Sequence, residues 1–509
     1  MGRRAAVIFV ASFVFVVGAV ASARGAENPK ALTAADYARA EKFLSYNVAP
    51  LVFRASVRPN WLPDERFWYR NALPDKGSEF ILVDPKRGRR APVFDHAAVA
   101  AALSAAAEKT FDAAHLPFTA FDFSPDGKAI LFTFQGKRWT CGLKGEACKP
   151  VEAGGAAPAA AEPSASGRPG MAMSFATISP DGRFTAFLRD HNLWIREAAT
   201  KTETQLTTDG VEDYGYATDN AGWTRSNRPV VSWSPDSKKI ATFRQDQREV
   251  GEMYLVETKA GHPTLQAWKY PMPGDKVVSM LERVVIHLDG PRLVRLQMPP
   301  DQHRSTFIDD IKGWTGGMED VQWSPDGKRL VFVSTSRDHK RAVLREANPE
   351  TGDVRDVLEE TAATYFESGN DRANWRFLAA SNEILWFSER DDWGHLYLYD
   401  LATGRLKSRI TSGEWTVLQV VRIDERSRTV FFLAGGREKG RDPYFRHFYS
   451  VGLDGRGLRL LTPEDADHEV SFSPSHRYFL DSYSRPDVPQ VTVLRSAKGA
   501  LVCRLEQAD

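Results

Sequence analysis

Cysteine is scarce in this 509-residue chain: Cys141, Cys148 and Cys503 are the whole complement. Three thiols cannot staple a disulfide-dense scaffold, and no two of them sit at zinc-ligand spacing. An excess of charge of one sign is lacking too. Lys+Arg 67 against Asp+Glu 66 leaves a net charge of +1, which gives no broad electrostatic footprint for nucleic acid. The 11 histidines are scattered, with no His-x-x-x-His spacing and no His/Asp/Glu cluster, so the sequence asks for no metal and no other cofactor. Beyond residue 23 no apolar run is long enough to span a bilayer.

The one long apolar run opens the chain. Arg3-Arg4 supply a positive start, Ala5 to Ala21 an apolar stretch, and Ala21-Ser22-Ala23 a small-residue cleavage site, the pattern of an export signal over residues 1–23. The rival is a retained anchor. The run lies at the short end of the ~17–25 residues a spanning helix needs, which favours cleavage after Ala23 and a periplasmic or secreted protein with no stable span. In such an oxidising place Cys141 and Cys148 could close the short loop Gly142 to Ala147; independent thiols are the other reading, and spacing leaves both open.

Aromatic residues are plentiful: 13 Trp and 29 Phe, falling mainly in strand-like runs. One phrase organises those runs. Trp323-Ser324-Pro325-Asp326-Gly327 reads as a strand end and a tight turn, with proline preset at the second corner and glycine at the fourth position. It recurs at Ser124, Ser179, Ser234 and Ser473. The gaps of 55, 55, 90 and 149 residues fit one, one, two and three units of roughly 45–55 residues, the period of propeller blades. Arg283 to Leu288 with Arg292 to Leu296 would be a degenerate unit in the 90-residue gap. Closing phrases such as Asp400-Leu401-Ala402-Thr403-Gly404 read as outer hairpin turns. The expected fold is all-β: a propeller over residues 61–509, most simply eight blades of four antiparallel strands. A helical and extended segment over 24–60 precedes it, with Thr33 and Asp36 close to a capping box for a helix from Leu32 to Leu44. A second helix is expected from about Ala97 to Lys109, and residues 151–170, rich in Ala, Pro, Gly and Ser, read as a low-complexity surface loop.

Three phrases are more specific. Ser388-Glu389-Arg390-Asp391-Asp392-Trp393-Gly394-His395-Leu396-Tyr397-Leu398-Tyr399 resembles a segment of the dipeptidyl peptidase IV-like serine peptidases, within the prolyl oligopeptidase superfamily. Val470 to Pro474 with Tyr478 to Ser484 resembles that family's last-blade signature, and Ala34 to Ala40 with Pro59-Asn60-Trp61-Leu62 its bacterial N-terminal segment. The resemblance implies an eight-bladed propeller that restricts which peptides reach a Ser-Asp-His triad in an α/β-hydrolase domain. No Gly-x-Ser-x-Gly elbow occurs in the 509 residues, so no catalytic residue is assigned and hydrolysis by this chain alone is not expected. Peptides would be its substrates and a hydrolase domain its partner. A free-standing peptide- or protein-binding propeller, similar to the periplasmic TolB proteins, is the alternative.

The resemblance also implies a specificity device. Dipeptide-releasing members bind the substrate's amino group with paired glutamates, and the matching stretch here is Asp213-Tyr214-Gly215-Tyr216-Ala217-Thr218-Asp219. Ala217 and Thr218 fill the glutamate positions, so Asp219 and Glu212 are the candidate amino-group anchors, weighed against ordinary solvated loop acids, and strict dipeptide release is not expected. Pro300-Asp301-Gln302-His303-Arg304 and the charged run Arg437 to Asp442 are read as a connecting loop and a hairpin tip.

Overall fold

In the computed structural model, residues 32–151, 177–218, 228–303, 318–367 and 374–509 are described here. The chain divides into two compact units, residues 1–52 and 53–509. The expected export signal lies outside the described residues, as does nearly all of the 151–170 stretch.

In the first unit, helix α1 (Ala34–Glu41) starts at a complete capping box. The Asp36 amide donates to Thr33 Oγ1 at 3.3 Å, and the Thr33 amide donates to Asp36 Oδ2 at 3.0 Å. Two orphan donors of the first turn are thereby satisfied. A short helix α2 (Ser45–Val48) follows. α1 is shorter than its apolar pattern suggests, and Leu32, Tyr37, Phe43 and Leu44 are all exposed.

The second unit is a β-propeller of eight antiparallel sheets in chain order. Blade 1 spans Asn60–Trp61 to Arg89–Pro92 and blade 2 Asp122–Phe123 to Lys149–Val151. Blades 5 (Val321–Trp323 to Val354–Thr361), 6 (Arg376–Leu378 to Leu406–Arg409), 7 (Thr416–Asp424 to Arg459–Leu460) and 8 (Asp467–Phe472 to Leu501–Gln507) complete the six sheets that hold the expected four strands. Among the described residues blade 3 (Phe184–Arg189, Asn192–Glu197, Glu203–Gln205) has three strands and a single bridge, Ile178 to Thr185, where a first strand would lie. Blade 4 has six, with Lys239–Asp246 and Met280–His287 at its centre.

Blade 4 corrects the unit count within the 90-residue gap. Lys239 to Asp246 pair without a break against His287 to Met280, and Arg292–Arg295 continues the same sheet. The Trp233 phrase and the Arg283 strands are therefore one blade, not two units. The extra length is an inserted hairpin, Glu252–Glu257 against Thr264–Lys269, which pairs only within itself. It exposes Tyr254, Leu255, Val256 and Leu265.

Each Ser-Pro-Asp phrase closes the same turn. In blade 5 the Ser324 hydroxyl donates to Asp326 at 2.6 Å and accepts from the Arg329 amide at 2.9 Å, while the Gly327 amide returns to the Ser324 carbonyl at 2.8 Å. The hydroxyl and nearby amides hold the carboxyls of Asp126, Asp181 and Asp326 below the usual carboxylate range. The fourth position takes positive φ whether it is Gly327 (65°), Ser237 (59°) or His476 (58°). Ser336-Arg337-Asp338-His339 builds the same turn at the opposite end of blade 5, with Ser336 Oγ donating to Asp338 at 2.6 Å and His339 at φ 55°. The expected outer turns are present as well. Gly404 sits at φ 66°, and a Cβ there would lie 2.0 Å from the Val357 carbonyl of blade 5.

Apolar side chains fill the seams between blades. Trp68 and Phe80 of blade 1 pack with Phe132 and Trp139 of blade 2, under helix α3 (His96–Ala107), which inserts Val99, Ala100 and Leu103. Comparable clusters join blades 3 and 4, 4 and 5, 5 and 6, 6 and 7, and 7 and 8. The ring closes where Phe67, Tyr69 and Val83 of blade 1 meet Leu480, Leu494 and Leu505 of blade 8. No strand is exchanged at that closure; the Phe53 and Asp509 backbones pair beside it, at 2.8 and 3.0 Å.

Candidate functional site

The stretch expected to meet a substrate's amino group lies on blade 4. Tyr214–Tyr216 is an edge strand paired with Arg244 to Asp246, entered through a tight turn bridged by Val211 and Tyr214. Glu212 is exposed on that turn, and Asp219 lies outside the described residues. Ala217 and Thr218 are buried. The Ala217 amide donates to the Phe243 carbonyl at 2.8 Å and its carbonyl accepts from Val230 at 2.9 Å. The two positions that would carry glutamates are thus committed to the sheet interior. Sequence spacing could not reveal this, because the backbone partners of Ala217 are Phe243 and Val230, distant along the chain.

The strand offers instead an aromatic ring with two cations packed against it. The guanidinium carbons of Arg244 and Arg248 lie 3.4 and 4.0 Å from the Tyr214 ring centroid. The Tyr214 hydroxyl donates to Glu282 at 2.8 Å, and burial with that carboxylate raises its pKa. Arg244 also pairs with Asp209 at 3.0 Å and Arg248 with Asp246 at 2.7 Å. Burial and the Asp209 hydrogen bond push Tyr216 up to about 12. These pairings neutralise the charges locally, and among the described residues Glu212 faces solvent without a hydrogen bond or ion pair.

The phrase Ser388 to Tyr399 forms a polar knot between blades 5 and 6. Glu360 accepts hydrogen bonds from Ser388 Oγ, from Trp386 Nε1 at 2.8 Å and from Arg390 at 2.5 Å; Arg390 also donates to the Tyr399 hydroxyl at 2.7 Å. Tyr397 donates to Asp391 at 2.6 Å. Asp301, from the loop read as a connector, is likewise structural: it pairs with buried Arg283 at 2.6 Å, and Arg283 reaches Asp320 at 2.5 Å. Within the Arg437–Asp442 run, Arg437 pairs with Glu438 at 2.8 Å and Glu438 accepts from Tyr449 at 2.9 Å, so this tip is tied to its blade.

Blade 8 holds a cluster with no signal in sequence spacing. Glu464, His468 and Asp481 bring one donor atom each within 4.8 Å of one another. His468 Nδ1 bonds Asp481 at 2.7 Å and Nε2 meets the Glu464 carbonyl at 3.1 Å. Arg495 donates to Asp481 at 2.8 Å and to Glu464 at 2.5 Å. The guanidinium already supplies the positive charge that a cation would bring, and both imidazole nitrogens are engaged. The group is an ion network, with Glu464 Oε2 buried and not hydrogen-bonded, and is not assigned as a metal site. Cys141 and Cys148 are bonded to each other, S–S 2.04 Å.

None of these groups forms a nucleophile–base–acid set. His395 Nδ1 meets the Thr411 hydroxyl at 3.1 Å, but its other nitrogen faces the Gly413 carbonyl at 2.9 Å and both side chains are buried. Acyl transfer needs an accessible nucleophile and an orienting carboxylate as well.

A family model described as the dipeptidyl peptidase IV N-terminal region matches residues 124–490. "Probable dipeptidyl-aminopeptidase B" of Tuber melanosporum is 28% identical over 373 residues, covering 67% of this chain and 40% of that protein. Dipeptidyl-aminopeptidase B of Aspergillus niger is 25% identical over 398 residues, covering 72% and 40%. The crystal structure of Porphyromonas gingivalis dipeptidyl peptidase 4 superposes with a TM-score of 0.58 at 20% identity, covering 91% of this chain and 61% of that one. The chain spans about two fifths of the length of the curated relatives it matches. Among the described residues no helix is long and apolar enough to cross a membrane.

Proposed function

Because this chain belongs to the dipeptidyl peptidase IV N-terminal region family, we propose that it is the substrate-gating propeller of an exported serine peptidase. In this reading the ring admits and orients peptides, and an α/β-hydrolase domain outside these 509 residues supplies the triad. The match over residues 124–490 carries the proposal. The lack of a Gly-x-Ser-x-Gly elbow supports a non-catalytic role. Amino-group recognition would fall to Glu212, with Asp219 the second candidate on the same stretch. A single carboxylate holds an ammonium less firmly than a pair, so selectivity for a free N-terminus is weak in this reading.

The test uses the purified chain and Xaa-Pro chromogenic dipeptides. No turnover is expected; turnover abolished by a serine-directed phosphonate overturns the non-catalytic role. Binding of unhydrolysed peptides is measured alongside by calorimetry, with free and acetylated N-termini. Supplying the relatives' hydrolase domain in trans then separates the two readings. Restored turnover supports the gating role. Peptide binding without any restored turnover favours the free-standing binding propeller.

A further inference from the structure

We propose that the seam between blades 7 and 8 is a proton-operated latch, which loosens in mild acid when the buried His447, facing His468, takes up a proton. The latch stands independently of the peptide-gating role, because it concerns only how two sheets of the ring hold together.

His447 opens the third strand of blade 7 and is 2% exposed. Its ring centroid lies 5.3 Å from that of His468 across the seam. Among the described residues neither of its ring nitrogens makes a hydrogen bond. The Thr462 carbonyl, from the connector into blade 8, is near enough to favour the charged ring without reaching hydrogen-bond geometry. A buried, unpartnered imidazole is tolerable only while neutral, since an enclosed charge without a counter-charge costs far more than an enclosed dipole.

The surrounding charges are paired with one another, except Arg441, which is held by backbone carbonyls. From the connector after blade 7's second strand come Glu438, paired with Arg437, and Arg441, whose guanidinium donates to the Pro463 and Glu464 carbonyls. Arg446, next to His447, pairs with Asp467 on the first strand of blade 8 at 2.7 Å. Asp465, in the connector, pairs with Arg485 at 3.0 Å. Asp481 on the second strand and Glu464 in the connector share Arg495 of the third, and Asp481 also holds His468. The Tyr483 ring also packs on His468, with centroids 5.2 Å apart. Each carboxylate in this set already has a cationic partner, and one oxygen, Glu464 Oε2, is buried without a hydrogen bond. Burial first, then His468 and Arg441, depress the pKa of His447, and Glu438 opposes them weakly.

The sign follows from which state binds the proton. The closed seam holds His447 neutral, and the opened seam exposes it to water, where imidazole titrates near ~6.5. Opening therefore gains protons, and its equilibrium constant rises about tenfold for each pH unit below ~6.5 until the closed seam itself titrates. Above ~6.5 the seam is indifferent to pH.

Hydrogen exchange on the full chain, corrected for intrinsic rates, reads this out between about pH 7.5 and about pH 5. The probes are the amides of Phe448, bonded to Thr462 Oγ1, and His468, bonded to the Arg446 carbonyl. The reference is the Val333 amide, bonded to the Asp320 carbonyl within blade 5. Opening at the two probes should increase about tenfold per unit below ~6.5 with the reference unmoved, and H447Q should flatten the response. A flat profile in the unaltered chain, or a slope that persists in H447Q, overturns the latch. Should H447Q not fold, the NMR titration of the His447 ring in the unaltered chain decides: a midpoint below the ordinary imidazole value supports the latch, and one at or above it overturns it.

Discussion

Tyr69 and Glu506 stand 437 positions apart and share a 2.6 Å hydrogen bond inside the seam where the last blade meets the first. The same carboxylate accepts from Asn71 at 2.8 Å and pairs with Arg90 at 2.8 Å. Tyr69 is accordingly pushed well above the ordinary phenol range, by burial first and by Glu506 second. Replacing Glu506 with alanine strips three donors of their shared acceptor. Arg90 keeps some contact with water, which moderates the loss, and a cost of about 2–4 kcal/mol is expected. The urea midpoint of E506A against the unaltered chain measures it, and a change below about 0.5 kcal/mol would mean that this carboxylate does not hold the ring.

A second carboxylate gives the acid limb of stability. Glu383 receives hydrogen bonds from Lys407 of its own blade and Arg428 of the next. Those bonds outweigh its burial and lower its pKa to about 2. Its contribution is whole above the unfolded value of ~4.3 and drains away as pH falls toward about 2. E383Q should therefore lose stability at neutral pH and show a shallower decline over that acid range, as followed by thermal midpoints in a pH series.

Two glycines separate local strain from steric collision. Gly182 sits at φ 73° with open space where a Cβ would go, whereas Gly404 combines φ 66° with the Val357 carbonyl at 2.0 Å. G182A should cost about 1–2 kcal/mol, the penalty of a left-handed conformation. G404A should cost about 3 kcal/mol or more, because the backbones of blades 5 and 6 must part as well. Chemical denaturation of the two variants gives the comparison, and equal costs would refute the collision.

Restoring the family's acid at the amino-anchor stretch should fail. A217E would place a carboxylate where Ala217 is fully buried against Phe243. A loss of at least about 3 kcal/mol is expected, with no gain in affinity for peptides bearing a free N-terminus. Calorimetry with free and acetylated peptides checks the second point. Tighter binding of the free form by a folded A217E would show that this position does face a substrate.

The blade repeat was legible because its turn chemistry is local. Ser324, Asp326 and Gly327 bond within a few residues of one another, so the phrase carries its own structure. The same logic is visible at Ser336, but without proline the phrase passes as ordinary loop. What the sequence concealed is long-range. The 90-residue gap held one blade because Lys239 pairs directly with His287, a choice made by the sheet and invisible in spacing. Similarly, His468 and Asp481 lie on neighbouring strands, yet nothing in sequence announces that Arg495 and Glu464 complete the group. The phrase from Ser388 to Tyr399 marked the family correctly; in the structure it is a clasp around Glu360.

The inserted hairpin of blade 4 leaves and re-enters at Asp246 and Met280, which remain paired as though nothing came between them. In engineering terms this is a ready-made socket. The eight-pair ladder on one side fixes the two anchor points, so the hairpin from Glu252 to Lys269 can be shortened, exchanged or replaced by a reporter without altering the register of the ring. The same independence makes the hairpin, residues 252–269, a place where relatives with an unchanged propeller are expected to differ in length.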